Sequence, residues 1–207
     1  ITEEYKDNDP LILDLNFLEH NFGGTVPLEI VIDTKKRNGI QSLSFLKKVD
    51  QLQTELATLP DLSRSLSVVD GIKFAKQAYY NGDPSFYSLP TSQEKNFILS
   101  YIPKQKKGLS MLNALTDSTG SMARISIQAA DLATDESQLL MAQIHEKVNA
   151  IFDAERYDVT ITGASVIFLH GTSYLIKNLI ISLALAISVI AIIMALLFRS
   201  APMVLVS

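Results

Sequence analysis

The run "LIISLALAISVIAIIMALLF", Leu179 to Phe198, contains no charged residue, and it limits what this chain can become more than any other stretch. About 20 residues at ~1.5 Å each make a helix roughly 30 Å long, the thickness of a bilayer's hydrocarbon core. A soluble helix of that length needs a polar stripe for water. Here the polar groups are Ser182 and Ser188, and serine can satisfy itself on a carbonyl of its own helix. The run therefore reads as a membrane-crossing helix and not as a buried core helix. Its position late in the chain is not that of a cleaved secretion signal.

Ala184, Ser188, Ala191 and Ala195 recur at spacings that line one helix face. Small residues on one face let a second membrane helix approach closely, although alanine is also simply a good helix former. We read this face as a helix-packing surface. Beyond it, "FRSAP" suggests a tight turn with Arg199 at the membrane surface, and "MVLVS" the start of a further span. The chain thus looks like a piece of a polytopic membrane protein. Lys177 before the span and Arg199 after it leave the local balance of basic residues even, so that balance gives no orientation.

Composition narrows the partners. The 207 residues carry a formal charge of -4, which argues against nucleic acid, because phosphate recognition needs a basic face. Cysteine is absent, so neither a disulfide framework nor a thiolate metal site is available.

Ahead of the span, four segments alternate with the period of a half-buried strand. Leu28, Ile30 and Ile32 share a face of "PLEIVID". Leu66 and Val68 alternate with Ser65 and Ser67 in "RSLSVVD". Ala123, Ile125 and Ile127 oppose Arg124, Ser126 and Gln128. Tyr157, Val159 and Ile161 oppose Asp158, Thr160 and Thr162. Between the first two segments, Leu46, Val49, Leu52, Leu56 and Leu59 mark an amphipathic helix closed by Pro60. Between the last two, Leu140, Ile144, Val148 and Ile151 mark another, with Thr134 placed to cap it and Asp135 and Glu136 at its positive end. Two strand–helix–strand units with one-sided strands predict an α+β fold, a ferredoxin-like βαβ–βαβ domain with a helical insertion, followed by a transmembrane α-helix.

The insertion spans 71–118 and concentrates aromatic residues: Phe74, Tyr79, Tyr80, Phe86 and Tyr87. The "NGDP" turn separates two helical pieces. Aromatic rings with polar tips suit a surface that meets an amphiphile or a partner protein, and they suit equally a small satellite core under a long excursion. Lys104, Lys106 and Lys107 offer charge to anionic head groups, or form an ordinary solvated loop.

Motifs for chemistry are missing. His20, His145 and His170 are far apart, and "HEKVN" is not a zinc-binding H-E-x-x-H sequence. There is no phosphate-binding glycine loop and no nucleophile elbow. Gly23 and Gly24 suit a sharp turn before a strand. Neither a catalytic residue, a metal ligand nor a cofactor site is expected, so an enzyme is the least supported class. The span itself holds no Asp or Glu that would mark a proton relay.

With these segments placed, the chain resembles the resistance–nodulation–division superfamily, especially exporters of its MmpL-like, hydrophobe and amphiphile branch. The stretches that carry the likeness are "NDPLILDLNFLEHNFGGTVPLEIVIDT", "LQTELATLPDLSRSLSVVD", "GDPSFYSLP", "ARISIQAADL", "VTITGASVIF" and the span ending "LLFRS". The resemblance implies that residues 1–163 form a periplasmic porter domain. Residues 164–200 would form a connecting and second membrane helix, and 201–207 the start of a third. It implies a bacterial inner membrane, proton-coupled export of lipids or other amphiphiles, and partners in the remaining helices and a second porter domain, with a homodimer also possible. Phe74, Tyr79, Tyr80, Phe86 and Tyr87 would then be the candidate substrate contacts. The chain from Ala164 has no Gly or Pro after Gly171, so a nearly continuous helix is expected to join domain and span. The competing class is a membrane-anchored extracytoplasmic interaction or sensor domain, which a downstream signalling domain would betray.

Overall fold

The alternation of Leu28, Ile30 and Ile32 makes β1 (Val26–Asp33), in which those three are buried, Pro27 is exposed and the remaining members are half-exposed. The computed structural model describes residues 10–101 and 114–198. Ahead of β1 lies α1 (Pro10–Phe22), which the strand and helix periodicities above did not mark. β1 is the middle strand of a three-stranded antiparallel sheet, with β2 (Met122–Ala129) on one side and β3 (Asp158–Thr162) on the other. Val26 pairs with Ala129 and Glu29 with Thr162, so the start of β1 and the ends of β2 and β3 share one end of the sheet. Asp33, Met122 and Asp158 mark the other end.

One face of the sheet is covered by α2 (Leu43–Leu56) and α5 (Thr134–Ile151), which the apolar stripes of these helices dictate. Phe45, Leu46, Val49, Leu52 and Leu56 from α2 and Leu140, Ile144, Val148 and Ile151 from α5 close over Ile30, Ile125 and Ile127. Ser42 caps α2, its side chain accepting from the amide of Phe45. Helix α2 ends at Leu56, a turn before Pro60. Thr134 is the first residue of α5 and not its cap; Ala133 occupies the cap position without a side-chain bond. The core ends in an aromatic corner where Phe45, Phe152 and Tyr157 meet, with the Phe152 and Tyr157 ring centres 5.2 Å apart.

The expected second strand does not form. Leu62 and Leu66 make only isolated antiparallel bridges to Ala129 and Ser126 of β2. The inward side is also the reverse of the one the alternation suggested: Ser65 and Ser67 are buried and Leu66 is half-exposed. The cause is local. Ser67 and Asp70 form a reciprocal capping box that starts α3 (Val68–Tyr79), so Val68 and Val69 enter a helix instead of extending a strand. Gln53 of α2 stabilises the buried serines, donating to the Ser65 carbonyl at 3.2 Å and accepting from the Ser67 hydroxyl at 2.9 Å.

After the "NGDP" turn, where Asn81 and Gly82 both take positive φ, a 3-10 turn (Pro84–Phe86) leads to α4 (Lys95–Tyr101). Lys104, Lys106, Lys107, Arg199 and the segment 201–207 lie outside the described residues. Helix α6 runs from Ala164 to Phe198 over 35 residues and passes through Gly171. The chain divides into two units, Ile1–Val166 and Ile167–Ser207.

Candidate functional site

The five candidate aromatics separate into a stack, a tethered ring and an exposed ring. The C-terminal end of α3 presents Tyr79 and Tyr80, and the turn that follows returns Phe86 against them. Tyr80 and Phe86 stack with ring centres 4.1 Å apart, and Tyr79 meets Tyr80 edge-on at 5.2 Å. Such contacts add to what burial alone contributes, by about 1 kcal/mol per pair. Tyr79 nevertheless remains 46% exposed. Phe74, on the same helix, is 65% exposed, as is Phe97 on α4.

Below the stack sits a cation almost removed from water. Lys76 is 7% exposed, and its ammonium donates to the Ser88 hydroxyl and the Leu89 carbonyl, each at 3.3 Å, and pairs with Glu94 at 3.2 Å. The other Glu94 oxygen accepts from the Tyr80 hydroxyl at 2.8 Å. The Thr91 amide donates to Glu94 as well, and this bond, with that of Tyr80, holds its carboxyl down to about 2. The same carboxylate raises the Tyr80 phenol above its ordinary range. Lys76, Glu94 and Tyr80 thus fasten α3 to α4 beneath the rings.

Tyr87 belongs to a different set. Its hydroxyl donates to Asp70 at 3.2 Å and accepts from Arg64 at 3.3 Å, while Arg64 and Lys73 lie 6.0 and 5.9 Å from the centre of its ring. Burial, then the Asp70 carboxylate, pushes its phenol up. Lys73 is also paired with Asp50 on α2. Since Asp70 is the residue that caps α3 and receives Gln53 at 2.7 Å, Tyr87 is tied to the scaffold. Chemically, the insertion offers apolar ring surface at Phe74 and Tyr79, with charged groups already engaged beneath it. Among its described residues, no nucleophile is paired with a base.

His145 is exposed on α5, and the side chains of His20 and His170 lie outside the described residues. Among the described residues, no group of His, Asp and Glu is placed to hold a metal ion.

Along α6, Tyr174–Met194 is long and apolar enough to cross a bilayer, and none of it is buried in the protein. Ser182 donates to the Leu179 carbonyl at 2.9 Å and Ser188 to the Ala184 carbonyl at 2.7 Å, so both hydroxyls are satisfied within the helix. Ala184 and Ser188 are exposed and Ala191 half-exposed, while the side chain of Ala195 lies outside the described residues.

Sequence periodicity missed α1. Leu13, Phe17, Leu18 and Phe22 are all exposed there, and the available signal was the density of Leu and Phe in "PLILDLNFLEHNF".

Residues 27–207 match the model of the MMPL family. No curated protein matches it.

Proposed function

The chain belongs to the MMPL family, whose members are membrane transporters of the resistance–nodulation–division kind, and on that premise we propose that it is part of a proton-driven exporter of lipids or other hydrophobic or amphiphilic compounds. The observation that carries this reading is the conjunction of the family match over 27–207 with a bilayer-length helix that exposes its apolar side chains along its whole length. In this reading residues 1–163 are a periplasmic porter domain, 164–200 its connecting and inner-membrane helix, and 201–207 the start of a further span. The small face of Ala184, Ser188, Ala191 and Ala195 meets other transporter helices, and a second porter domain completes the substrate path.

The ferredoxin-like arrangement belongs to the same proposal. What supports it is the strip 62–66: Leu66 exchanges both backbone hydrogen bonds with Ser126, at 2.8 and 2.9 Å, and Ser63 donates to the Gln128 carbonyl at 2.7 Å. With that strip as an irregular fourth strand, the order becomes 62–66, β2, β1, β3, that of two interleaved βαβ units.

The exposed rings of Phe74 and Tyr79 give the insertion apolar surface for an amphiphile, and α6 transmits movement of the membrane bundle to the domain. A sensor or interaction module finds no observation in its favour. The deciding experiment reconstitutes the full-length protein in proteoliposomes and follows a fluorescent amphiphile with and without an imposed pH gradient. Gradient-dependent efflux is expected. Efflux indifferent to the gradient would remove proton coupling, and no movement across a panel of amphiphiles would remove the export reading.

A further inference from the structure

We infer that Gln53 is a positioning residue: it fixes the angle of the insertion on the sheet domain, so that the two move as one body. This rests on the exporter reading only for its consequence in transport. Apolar packing alone does not set that angle. Val68, Val69 and Ile72, in the first turns of α3, join the main core, and beyond Ile72 the insertion adds half-buried Leu89 to it. Ile98 of α4 is 0% exposed, yet it lies outside that core. Among the described residues, the insertion is thus seated on the domain mainly at the root of α3. Packing of apolar groups is not directional, so such a root leaves the helix free to swivel unless directional bonds hold it.

Gln53 supplies those bonds. Its Nε2 donates to the Ser65 carbonyl at 3.2 Å and to Asp70 at 2.7 Å, and its Oε1 accepts from the Ser67 hydroxyl at 2.9 Å. One side chain of α2 therefore grips the strip 62–66, the cap of α3 and its first turn. The Ser65 carbonyl and the Asp70 carboxylate both need a donor. The Ser67 hydroxyl already accepts from the Val69 amide at 3.0 Å, so its own proton needs an acceptor. A carboxamide meets both demands, whereas a carboxylate has no donor and an ammonium no acceptor. Asp70 passes the restraint on, accepting from the Ser67 amide at 2.9 Å and from the Tyr87 hydroxyl at 3.2 Å. One turn earlier on α2, Asp50 pairs with Lys73, one turn later on α3. Two successive turns of α2 thus hold two successive turns of α3.

The chain contains no cysteine, so spin labels at introduced cysteines are specific. Exposed positions would pair Ala78→Cys on α3 with Leu139→Cys on α5 and, as a control within the sheet domain, Thr160→Cys on β3 with Leu139→Cys. Distances would be measured by double electron–electron resonance on the chain in detergent micelles. Both pairs are expected to give narrow distributions in the parent. Gln53→Glu removes both donated bonds and sets a carboxylate against Asp70, so it should broaden the first pair and leave the control narrow. Gln53→Glu combined with Asp70→Asn returns a donor and an acceptor to the two positions and should narrow the first pair again. A broad first pair in the parent would overturn the inference, because the insertion would then move by itself. So would an unchanged first pair in Gln53→Glu, the absence of rescue, or broadening of both pairs together, which would show a general loss of the fold. In proteoliposomes Gln53→Glu is expected to slow amphiphile transport. Broadening with transport unchanged would uphold the positioning and remove the insertion from the substrate path.

Discussion

Gly163 packs directly on the carbonyl of Pro27: a methyl group built on its α-carbon would lie 2.5 Å from that oxygen. The contact joins the residue just before α6 to the start of the central strand. With φ at +138°, Gly163 also occupies a conformation that side chains rarely adopt.

Gly163→Ala is therefore expected to destabilise Ile1–Val166 by about 2 kcal/mol or more, from strain and overlap together. Gly82→Ala has positive φ but open space around it, so it meets strain without overlap and should cost less. Chemical denaturation of the two variants side by side checks the order; equal losses would show that the Pro27 contact contributes nothing.

Removing Glu94 leaves the Lys76 ammonium nearly buried without its counter-charge. Glu94→Ala should cost about 3 kcal/mol, the range for breaking a buried pair from one side. Lys76→Met combined with Glu94→Leu should recover much of that loss. Hydrogen exchange of α3 and α4 amides measures it, and the double variant faring worse than the single would refute the account.

The same pair sets an acid limit for the insertion. Because the Glu94 carboxyl is held down to about 2 from 4.5, its contribution is complete above pH 4.5 and lost as pH falls toward 2. Exchange protection around Thr91 to Ile98 should fall across that window in the parent and stay flat in Glu94→Gln.

Recognition and packing by the aromatics can be separated. Tyr80→Ala and Phe86→Ala break the stack and should each lower stability by about 1 kcal/mol beyond the area lost. Phe74→Ala removes an exposed ring and should slow amphiphile transport with little change in stability, whereas Tyr79→Ala should slow it and also lose the edge-on contact with Tyr80. Transport unaffected by both would leave the insertion a structural excursion.

If α6 acts as a lever, a flexible break should uncouple it. Two glycines inserted after Tyr174 weaken the helix by about 1 kcal/mol each and are expected to abolish transport while the domain still folds. Unchanged transport would end the lever reading.

Several features were legible from the residues because their cause is periodic and local. The inward faces of β1 and β2, the stripes of α2 and α5, and the "NGDP" turn between helical pieces all follow from spacing. The segment 62–69 was not legible, because its serines and its valines compete. Alternation alone favours a strand, and only the Gln53 and Asp70 partners turn Ser67 into a buried cap. The list of aromatics was likewise silent on grouping. Nothing in the spacing of Tyr80, Phe86 and Tyr87 says that two rings stack while the third is tied to Asp70.

By itself the sequence determined a charge-free run, Leu179–Phe198, long and apolar enough to cross a bilayer. It also determined the two apolar stripes that cover a sheet. Only the tertiary structure decided which aromatic rings stay open. It also decided how a lysine comes to rest 7% exposed beside Glu94. Hydrophobic periodicity is carried within a segment, whereas these outcomes depend on hydrogen bonds and contacts between residues that no local spacing relates.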